Sequence, residues 1–383
     1  MQEFTPLEYL KIDIASRFGL DKQSWNERLL WFSFNENNLG SLINDAKEPA
    51  LYYAALCAYN DYVDGVPSGY AVNLDCTASG IQLLAAMAKD VVAASNCNVL
   101  GSDCKDFYLE AYDKMKELNS DLDVTRADAK DAIMTACYGS TKRPRIIFGE
   151  ENLGVFYNTM LQMAPRAWHL NQAFLSLADP TAYTYETVMP DNFTVNLPVE
   201  ATVQTEVTFG GQSHVVTTKV NAPTEHNLSL GANLTHAVES YLTRELIRRA
   251  AGHEGIRHST VPDPKDDLMV QILWNLYEQT GMLSTRIFDY LTTYNLRFVD
   301  VGTIEEYSKK FTDTPFEVLT VHDCFRCLPK YANELRKIYR ELFRELIDSN
   351  MAIYLLETVS GKEYNIQLDN PMAELEIGEY LIC

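Results

Sequence analysis

The order of apolar and polar residues along this chain follows a helical period over most of its length and a strand period over a few short stretches. Predicted helices lie near 6–17, 22–33, 47–63, 81–90, 103–118, 123–138, 151–178, 232–251, 265–279, 283–293 and 330–349. Predicted strands lie at 70–74 and 316–321, and two further runs around Gly210-Gly211 indicate a hairpin within 196–225. The pattern therefore predicts an α+β fold that is mostly helical.

Residues 70–90 join a short apolar strand to an amphipathic helix through a turn of small residues. Asp75 stands at the end of that strand, where a carboxylate is costly to remove from water unless a cation meets it. Asp at such a position also commonly caps the helix that follows. The pattern leaves both interpretations of Asp75 open, a helix cap and a ligand for a cation.

The helix predicted at 123–138 has a packing face and a slanted polar stripe. The packing face consists of Ala129, Ala132, Ile133 and Ala136. The stripe consists of Arg126, Lys130, Met134 and Tyr138, each rotated by roughly 40° from the last. Two cations and an aromatic ring in line, closed by Gly139, fit an extended polyanion such as a nucleoside triphosphate. An ordinary solvated helix face is the alternative interpretation.

A second acid follows an apolar strand at His322-Asp323, and another apolar run begins directly after it. This order predicts a hairpin with an acid at its bend, although an ordinary polar turn has the same signature. A thiol nucleophile at Cys324 is disfavoured because neighbouring strand residues point to opposite faces. Two strand-end aspartates with a cationic helix between them indicate a metal-dependent enzyme that handles triphosphates, since Mg²⁺ binds carboxylate and phosphate oxygens.

The net charge is the one feature of the composition that argues against this interpretation. The chain of 383 residues is 46% hydrophobic and 22% charged, as in ordinary folded proteins, but its net charge of −21 argues against a nucleic-acid surface of its own. No apolar run reaches the length of a membrane span, and the first residues lack a signal-peptide pattern. The eight cysteines show no disulfide framework, which favours a reducing cytoplasm.

Three stretches resemble the motifs of the single-subunit, phage-type (phage and mitochondrial) DNA-directed RNA polymerases. DCTASGIQ at 75–82 resembles motif A, TRADAKDAIMTACYGS at 125–140 resembles motif B, and TVHDCF at 320–325 resembles motif C. Weaker similarities lie at 9–28, 189–193 (MPDNF), 231–242 (GANLTHAVESYL) and 376–383. The resemblance implies the palm and fingers of a right-hand nucleotide polymerase that copies a DNA template into RNA from NTPs.

The resemblance also implies residue roles. Catalysis would fall to Asp75, Lys130 and Asp323; the two aspartates would hold two Mg²⁺ ions, with a backbone carbonyl from Cys76. Lys130 would neutralise the triphosphate of the incoming nucleotide. Substrate binding is assigned to Lys22, Arg126, Tyr138, Gly139, His236 and His322. Among these, Tyr138 and His236 would contact the nascent base pair and favour ribose.

The expected domains follow the motifs: 1–122 would be palm with motif A, 123–315 fingers with a promoter-loop-like hairpin, and 316–383 palm with motif C and a carboxy-terminal foot. The family's amino-terminal domain and thumb have no counterpart in this sequence. We therefore expect a second polymerase subunit to supply them, as in the two-chain RNA polymerase II of N-four-type phages, whose larger subunit this chain resembles. The cytoplasm of an infected bacterial host is the expected location.

The hairpin within 196–225 contains no Arg, the residue that most often reads guanine edges. This predicts weak recognition of duplex promoters without an auxiliary factor, such as a single-strand DNA-binding activator. Two alternatives remain. A family-A-like DNA polymerase fragment would usually read DYSQIE in motif A and HDE in motif C, and a catalytically dead scaffold would tolerate loss of the charged residues that are present here.

Overall fold

The computed structural model describes residues 1–137, 139–224 and 229–383. The helices within these ranges are α1 (Pro6–Ala15), α2 (Trp25–Asn35), α3 (Pro49–Val63), α4 (Ser79–Ala88), α5 (Val91–Asn96), α6 (Phe107–Leu118), α7 (Arg126–Cys137), α8 (Lys142–Met163), α9 (Pro165–Ser176), α10 (Leu230–Ala251), α11 (Pro264–Thr280), α12 (Val301–Ser308), α13 (Ala332–Asp348) and α14 (Met351–Ser360). Tyr138 lies outside the described residues.

The strands form small antiparallel sheets between these helices. They are β1 (Val72–Asp75), β2 (Thr184–Val188), β3 (Thr194–Pro198), β4 (Glu200–Phe209), β5 (Gln212–Asn221), β6 (Leu319–Val321) and β7 (Cys324–Cys327). The three-stranded sheet has the order β1-β7-β6, whereas β2–β3 and β4–β5 are two-stranded. The mixed, mainly helical fold predicted from the sequence is confirmed.

The β4–β5 hairpin was also predicted correctly. Its turn is made by Gly210 and Gly211, with φ angles of 61° and 80°, the conformation that two-residue hairpin loops favour and that side chains disfavour. The two strands pair in continuous register from Glu200–Asn221 to Phe209–Gln212. Nearly all of their side chains are exposed, so this hairpin stands away from the hydrophobic core.

The helix α7 buries the face that its periodicity predicts. Ala129, Ala132 and Ile133 are fully buried, and the main hydrophobic core includes all three. At the start of α7, the Thr125 side chain accepts a hydrogen bond from the Asp128 amide (3.2 Å) while Asp128 accepts from the Thr125 amide (2.9 Å). This reciprocal cap fixes where α7 begins and therefore where Lys130 points.

A buried ion-pair network holds α10 against α13. The Arg249 guanidinium donates two hydrogen bonds to the Glu345 carboxylate, at 2.7 and 2.8 Å, and both side chains are almost wholly buried. One turn earlier on α10, Glu245 accepts hydrogen bonds from Ser284 and Thr285. Because these carboxylates are fully satisfied, α10 has a fixed position relative to the core.

The predicted helix at 283–293 is wrong. Only a short 3-10 turn, Thr285–Asp289, forms there, because the Leu291 carbonyl and the Thr293 amide pair with the backbone of Arg257 instead of continuing a helix. The apolar residues that produced the helical pattern are nevertheless buried; Leu283, Ile287 and Leu291 belong to a second hydrophobic cluster. Periodicity identified the buried side of this segment but not its backbone.

Candidate active site

Asp75 ends β1 and does not cap α4. The residue before α4 is Ala78, and no side chain caps that helix, so the cap interpretation of Asp75 is wrong. Its backbone is instead held by Cys383, which accepts from the Asp75 amide at 3.2 Å and donates to the Asp75 carbonyl at 2.9 Å. The chain near Cys383 therefore continues the sheet on the far side of β1 and leaves the Asp75 carboxylate exposed to a cleft.

Asp323 lies beside Asp75 because of the strand register. On β7, Cys324 pairs with Asp75, so the preceding residue, Asp323, is at the same edge of the sheet. The Cys76 amide donates to the Asp323 carbonyl at 3.2 Å. The bend between β6 and β7 is His322-Asp323, with His322 at a φ of 56°. The predicted hairpin with an acid at its bend is confirmed.

An open cleft of about 910 Å³ lies in front of these two aspartates. The predicted site residues that line it are Lys22, Asp75, Cys76, Lys130, His236, His322 and Asp323. They come from the loop after α1, the β1–α4 turn, α7, α10 and the β6–β7 bend, so the fold gathers five separate segments at one place. The Lys130 ammonium lies 5.4 Å from the centroid of the Tyr108 ring, which also lines the cleft.

Two predicted residues are placed elsewhere. The Arg126 side chain pairs with Asp106, the residue that caps α6, and is not among those lining the cleft. Gly139 follows α7 with a φ of 84°, is buried, and donates its amide to the Ala136 carbonyl at 2.9 Å. The role predicted for Tyr138 falls outside the described residues.

The cleft disfavours negative charge on its own carboxylates. The protein around Asp75 excludes water on the side away from the opening and thereby raises the pKa of this carboxyl to about 6, with a further contribution from Asp323. Burial lowers the pKa of His236, and His322 acts in the same direction. A cation placed between the two aspartates would relieve this unfavourable interaction.

Glu239 is a cleft residue that the sequence analysis did not single out. It lies one turn after His236 on α10 and is half-buried. Burial, together with Asp323, raises the pKa of its carboxyl to about 7. The GANLTHAVESYL stretch contained the signal, because His236 and Glu239 are three residues apart and share one helix face.

The donor atoms in this cleft suit a hard divalent cation. Asp75 and Asp323 offer carboxylate oxygens, whereas the Cys76 thiol lies 3.3 Å from the buried Tyr339 hydroxyl, so only the backbone of Cys76 would face a metal. Mg²⁺ is commonly bound by one or two carboxylates and completed by substrate phosphates and water. Two strand-end carboxylates and a lysine that line one open cleft are compatible with metal-assisted chemistry on a phosphate.

Part of the chain is similar to known proteins. Residues 3–147 match the family described as DNA-dependent RNA polymerase. A probable DNA-directed RNA polymerase of Neurospora crassa is 34% identical over 161 residues, which is 36% of this chain and 18% of that protein. A probable DNA-directed RNA polymerase of Podospora anserina is 32% identical over 124 residues, or 28% of this chain and 13% of that protein.

The matched stretch therefore spans less than a fifth of either relative. The family match over residues 3–147 includes the segments that resemble motifs A and B and ends within α8. Asp323 lies beyond the family match, and it is the β1–β7 register that brings it to Asp75. Among the described residues, no helix is long and apolar enough to cross a membrane.

Proposed function

We propose that this chain is the catalytic part of a DNA-directed RNA polymerase, which adds nucleotides from NTPs to the 3′-hydroxyl of RNA and releases pyrophosphate. The observation that carries the proposal is the meeting of Asp75 and Asp323 at one sheet edge, opposite Lys130, within a chain whose first part is similar to such polymerases. Palm and fingers are the proposed identities of the sheet region and the α7 region.

Each cleft residue has a defined task in this proposal. Two Mg²⁺ ions bound by the aspartates would activate the attacking hydroxyl and stabilise the leaving pyrophosphate. Lys130 and Lys22 would neutralise the triphosphate, and Lys130 would donate a proton to the leaving pyrophosphate. His236, exposed on α10, contacts the nascent base pair. Arg126 joins the phosphates only after it leaves Asp106.

We further propose that a second polymerase subunit covers the open edge of the three-stranded sheet, and that the polymerase has two chains like the RNA polymerase II of N-four-type phages. Within the described residues, β6 pairs only with β7, and Leu319 and Val321 on β6 are each 58% exposed. An apolar depression of about 400 Å³ is lined by residues that include Leu10, Tyr62 and Leu328. Exposed apolar strand edges invite pairing with another polypeptide.

A second subunit would also explain how a polymerase that contains so acidic a chain binds nucleic acid. A net charge of −21 makes this chain a poor binder of nucleic acid, so the DNA template and RNA product would rest largely on basic surface of the partner. The β4–β5 hairpin contains no Arg, and its Lys219 is paired with Glu200 at 2.7 Å. Promoter recognition would accordingly need an activator that binds single-stranded DNA. The proposed location of the polymerase is the cytoplasm of an infected bacterium.

The test of catalysis uses the tagged chain purified with its bound proteins from its natural source. On an RNA primer annealed to DNA, with Mg²⁺, we expect extension with NTPs and little with dNTPs. Asp323→Asn should abolish extension without loss of the bound proteins, while the exposed Asp123→Asn should extend normally. Preferential use of dNTPs would favour a DNA polymerase, and the absence of extension with either nucleotide would favour a scaffold.

The test of the open edge compares two surfaces. Leu319→Lys with Val321→Lys places cations along β6, and Val301→Lys places one on α12, where Val301 is 45% exposed. We expect the β6 variant to lose the second subunit and the α12 variant to keep it, as measured by mass spectrometry of the purified complex. If the chain alone extends RNA as fast as the complex, the two-subunit proposal is wrong.

A further inference from the structure

The loop between β2 and β3 presents an aromatic ring to solvent next to the candidate active site. This loop, residues 189–193, is the MPDNF stretch, and its Phe193 side chain is 50% exposed. Two backbone hydrogen bonds close the loop, from the Met189 amide to the Phe193 carbonyl (2.9 Å) and from the Asn192 amide to the Met189 carbonyl (2.8 Å). Asn192 has a φ of 57°, a conformation that Asn tolerates. The loop therefore fixes the backbone of Phe193.

A cation lies over the Phe193 ring. The Arg244 guanidinium is 4.4 Å from the ring centroid, within the range of a cation–π contact. Arg244 is itself held by the fully buried Asp191 carboxylate, to which it donates two hydrogen bonds of 2.6 and 2.9 Å. A bidentate pair of this kind fixes the plane of the guanidinium. Because Arg244 is fixed, it also restrains the orientation of the ring.

Two further arginines hold the same loop. The Arg248 guanidinium donates to the Asp191 carboxylate at 2.9 Å, and the Arg286 guanidinium donates to the Asp191 carbonyl at 2.7 Å. Asp191 is the one acidic residue of the loop, and its carboxylate is paired with both Arg244 and Arg248. A nucleic-acid strand that approached Phe193 would therefore meet no unpaired negative charge on this loop.

Arg244 connects the ring to the open cleft. It lines the cleft together with four earlier residues of α10, which recur along one face of the helix: His236, Glu239, Ser240 and Thr243. Arg244 follows His236 by eight residues, a distance of about 12 Å along α10. Successive bases of one strand are about 3.4 Å apart, so the ring beside Arg244 lies roughly three to four bases away from a base at His236.

An exposed aromatic ring next to such a cleft is suited to bind bases by stacking. Every base has a π-face, so a stacking contact accepts any sequence. Single strands offer these faces, whereas an internal base pair of a duplex is already stacked on both sides. Stacking also needs no cationic surface, which suits a chain with a net charge of −21. Half of the Phe193 side chain remains exposed to receive a base.

We propose that Phe193 is a stacking platform for an unpaired base of a nucleic-acid strand in the cleft, and that Asp191 and Arg244 hold the platform in place. The inference rests on the proposed function, because it needs a nucleic-acid strand in the cleft. It gives the MPDNF stretch two separate tasks: the aspartate is a positioning residue and the aromatic ring touches the ligand. The bound strand is either the DNA template or the RNA product, and the experiment below distinguishes them.

Binding is measured first, without NTPs, on the chain purified with its bound proteins. Labelled single strands of DNA and RNA, of one sequence and about 12 nucleotides long, are titrated by fluorescence anisotropy. We expect Phe193→Ala to weaken binding of at least one strand by about fivefold or more, and Phe193→Trp to retain it. A loss with DNA alone identifies the template as the bound strand, and a loss with RNA alone identifies the product. Phe34→Ala removes a ring that is 81% exposed on α2 and should bind both strands like the wild type.

Two further measurements show whether the contact is stacking. The fold-change caused by Phe193→Ala should be the same at low and high salt, since charge contacts are the ones that make affinity strongly salt-dependent. Phe193→Trp should lose fluorescence when a strand is added, by more than the wild type or Phe34→Trp loses. Unchanged binding by Phe193→Ala, or an equal loss in Phe34→Ala, would overturn the proposal. Loss of the bound proteins from Phe193→Ala would also overturn it, because Phe193 would then be a protein contact.

Primer extension separates this inference from the proposed function. On an RNA primer annealed to DNA, we expect Phe193→Ala to raise the primer–template concentration at half-maximal rate by about fivefold or more, with a smaller effect on the maximal rate. A complex that extends RNA but binds strands equally well without the Phe193 ring would overturn the platform and leave the polymerase function standing. A complex that stacks bases on Phe193 but extends no RNA would refute the polymerase function alone.

Discussion

Replacement of Asp75 by Asn is expected to stabilise the folded protein while it removes the proposed activity. The pKa of this carboxyl is raised to about 6, chiefly because the surrounding protein removes water and secondarily because Asp323 is near. A shift of about two pH units corresponds to about 3 kcal/mol. Because the side chain is exposed to the cleft, screening by solvent reduces the expected destabilisation to about 1 kcal/mol.

The sign of the effect depends on pH. Since the pKa of Asp75 is higher in the folded than in the unfolded protein, protonation favours the folded state. The stability associated with this proton is fully present below the unfolded pKa of about 4. It is lost as the pH rises through the folded pKa of about 6. Asn carries no charge and avoids the loss, so the variant should gain stability at alkaline pH and gain almost none in acid.

Thermal unfolding of the chain without divalent cations measures this difference. At about pH 8 we expect Asp75→Asn to unfold about 1–2 °C above the wild type, since about 1 kcal/mol shifts the Tm of a chain this long by little more than a degree. At about pH 4.5 most of this difference should disappear. Asp123→Asn, which neutralises an exposed aspartate before α7, should match the wild type at both pH values.

Addition of Mg²⁺ completes the experiment. An ion that binds the folded protein raises its Tm, and the wild type should respond more than Asp75→Asn because the variant lacks one of the two carboxylates. The reasoning is refuted if Asp75→Asn unfolds below the wild type at about pH 8, or if the difference between the two is the same at about pH 4.5.

Three other predictions concern the cleft and the helices behind it. Lys130→Ala should slow nucleotide addition by about a hundredfold or more at unchanged Tm, because the exposed ammonium acts on the triphosphate, and Lys130→Arg in single-turnover assays should retain more of the rate. Burial and Asp323 raise the pKa of Glu239 to about 7, so Glu239→Gln should raise the Tm at about pH 8.5 and have little effect at about pH 5. Arg249→Leu removes two hydrogen bonds from the buried Glu345 carboxylate and leaves it with Lys310 (3.0 Å), so it should lower the free energy of unfolding in urea by about 3 kcal/mol, and Glu345→Leu in the same chain should recover part of the loss.

The sequence was most informative where a local pattern determines both the backbone and the exposed face. The hairpin around Gly210-Gly211 and the packing face of α7 follow from turn chemistry and from helical periodicity, and both predictions are confirmed. Asp75 was ambiguous for the opposite reason. Whether it caps α4 or faces the cleft depends on β7 and on the chain near Cys383, which the local sequence does not describe.

Long-range contacts explain the remaining differences. The predicted helix at 283–293 failed because Arg257, from another segment, pairs with the Leu291 carbonyl and the Thr293 amide. Glu239 looked like an ordinary helix residue, and its raised pKa depends on burial and on Asp323 from the β6–β7 bend. The pairing of Arg126 with Asp106 likewise joins two helices that the pattern treats separately.

Whether an aspartate of this protein can bind an external cation depends on whether the fold already pairs it with an arginine or a lysine. Asp191, in the MPDNF stretch, is buried, yet its pKa is lowered because Arg244 (2.6 Å) and Arg248 (2.9 Å) together outweigh the cost of burial. Its charge is thus already neutralised by the protein. Within the described ranges, Asp75 and Asp323 form no salt bridge, although their backbones are fixed by the sheet. The described residues thus supply cations to Asp191 and leave Asp75 and Asp323 without a salt bridge beside an open cleft, which supports the proposal that an external cation binds these two carboxylates.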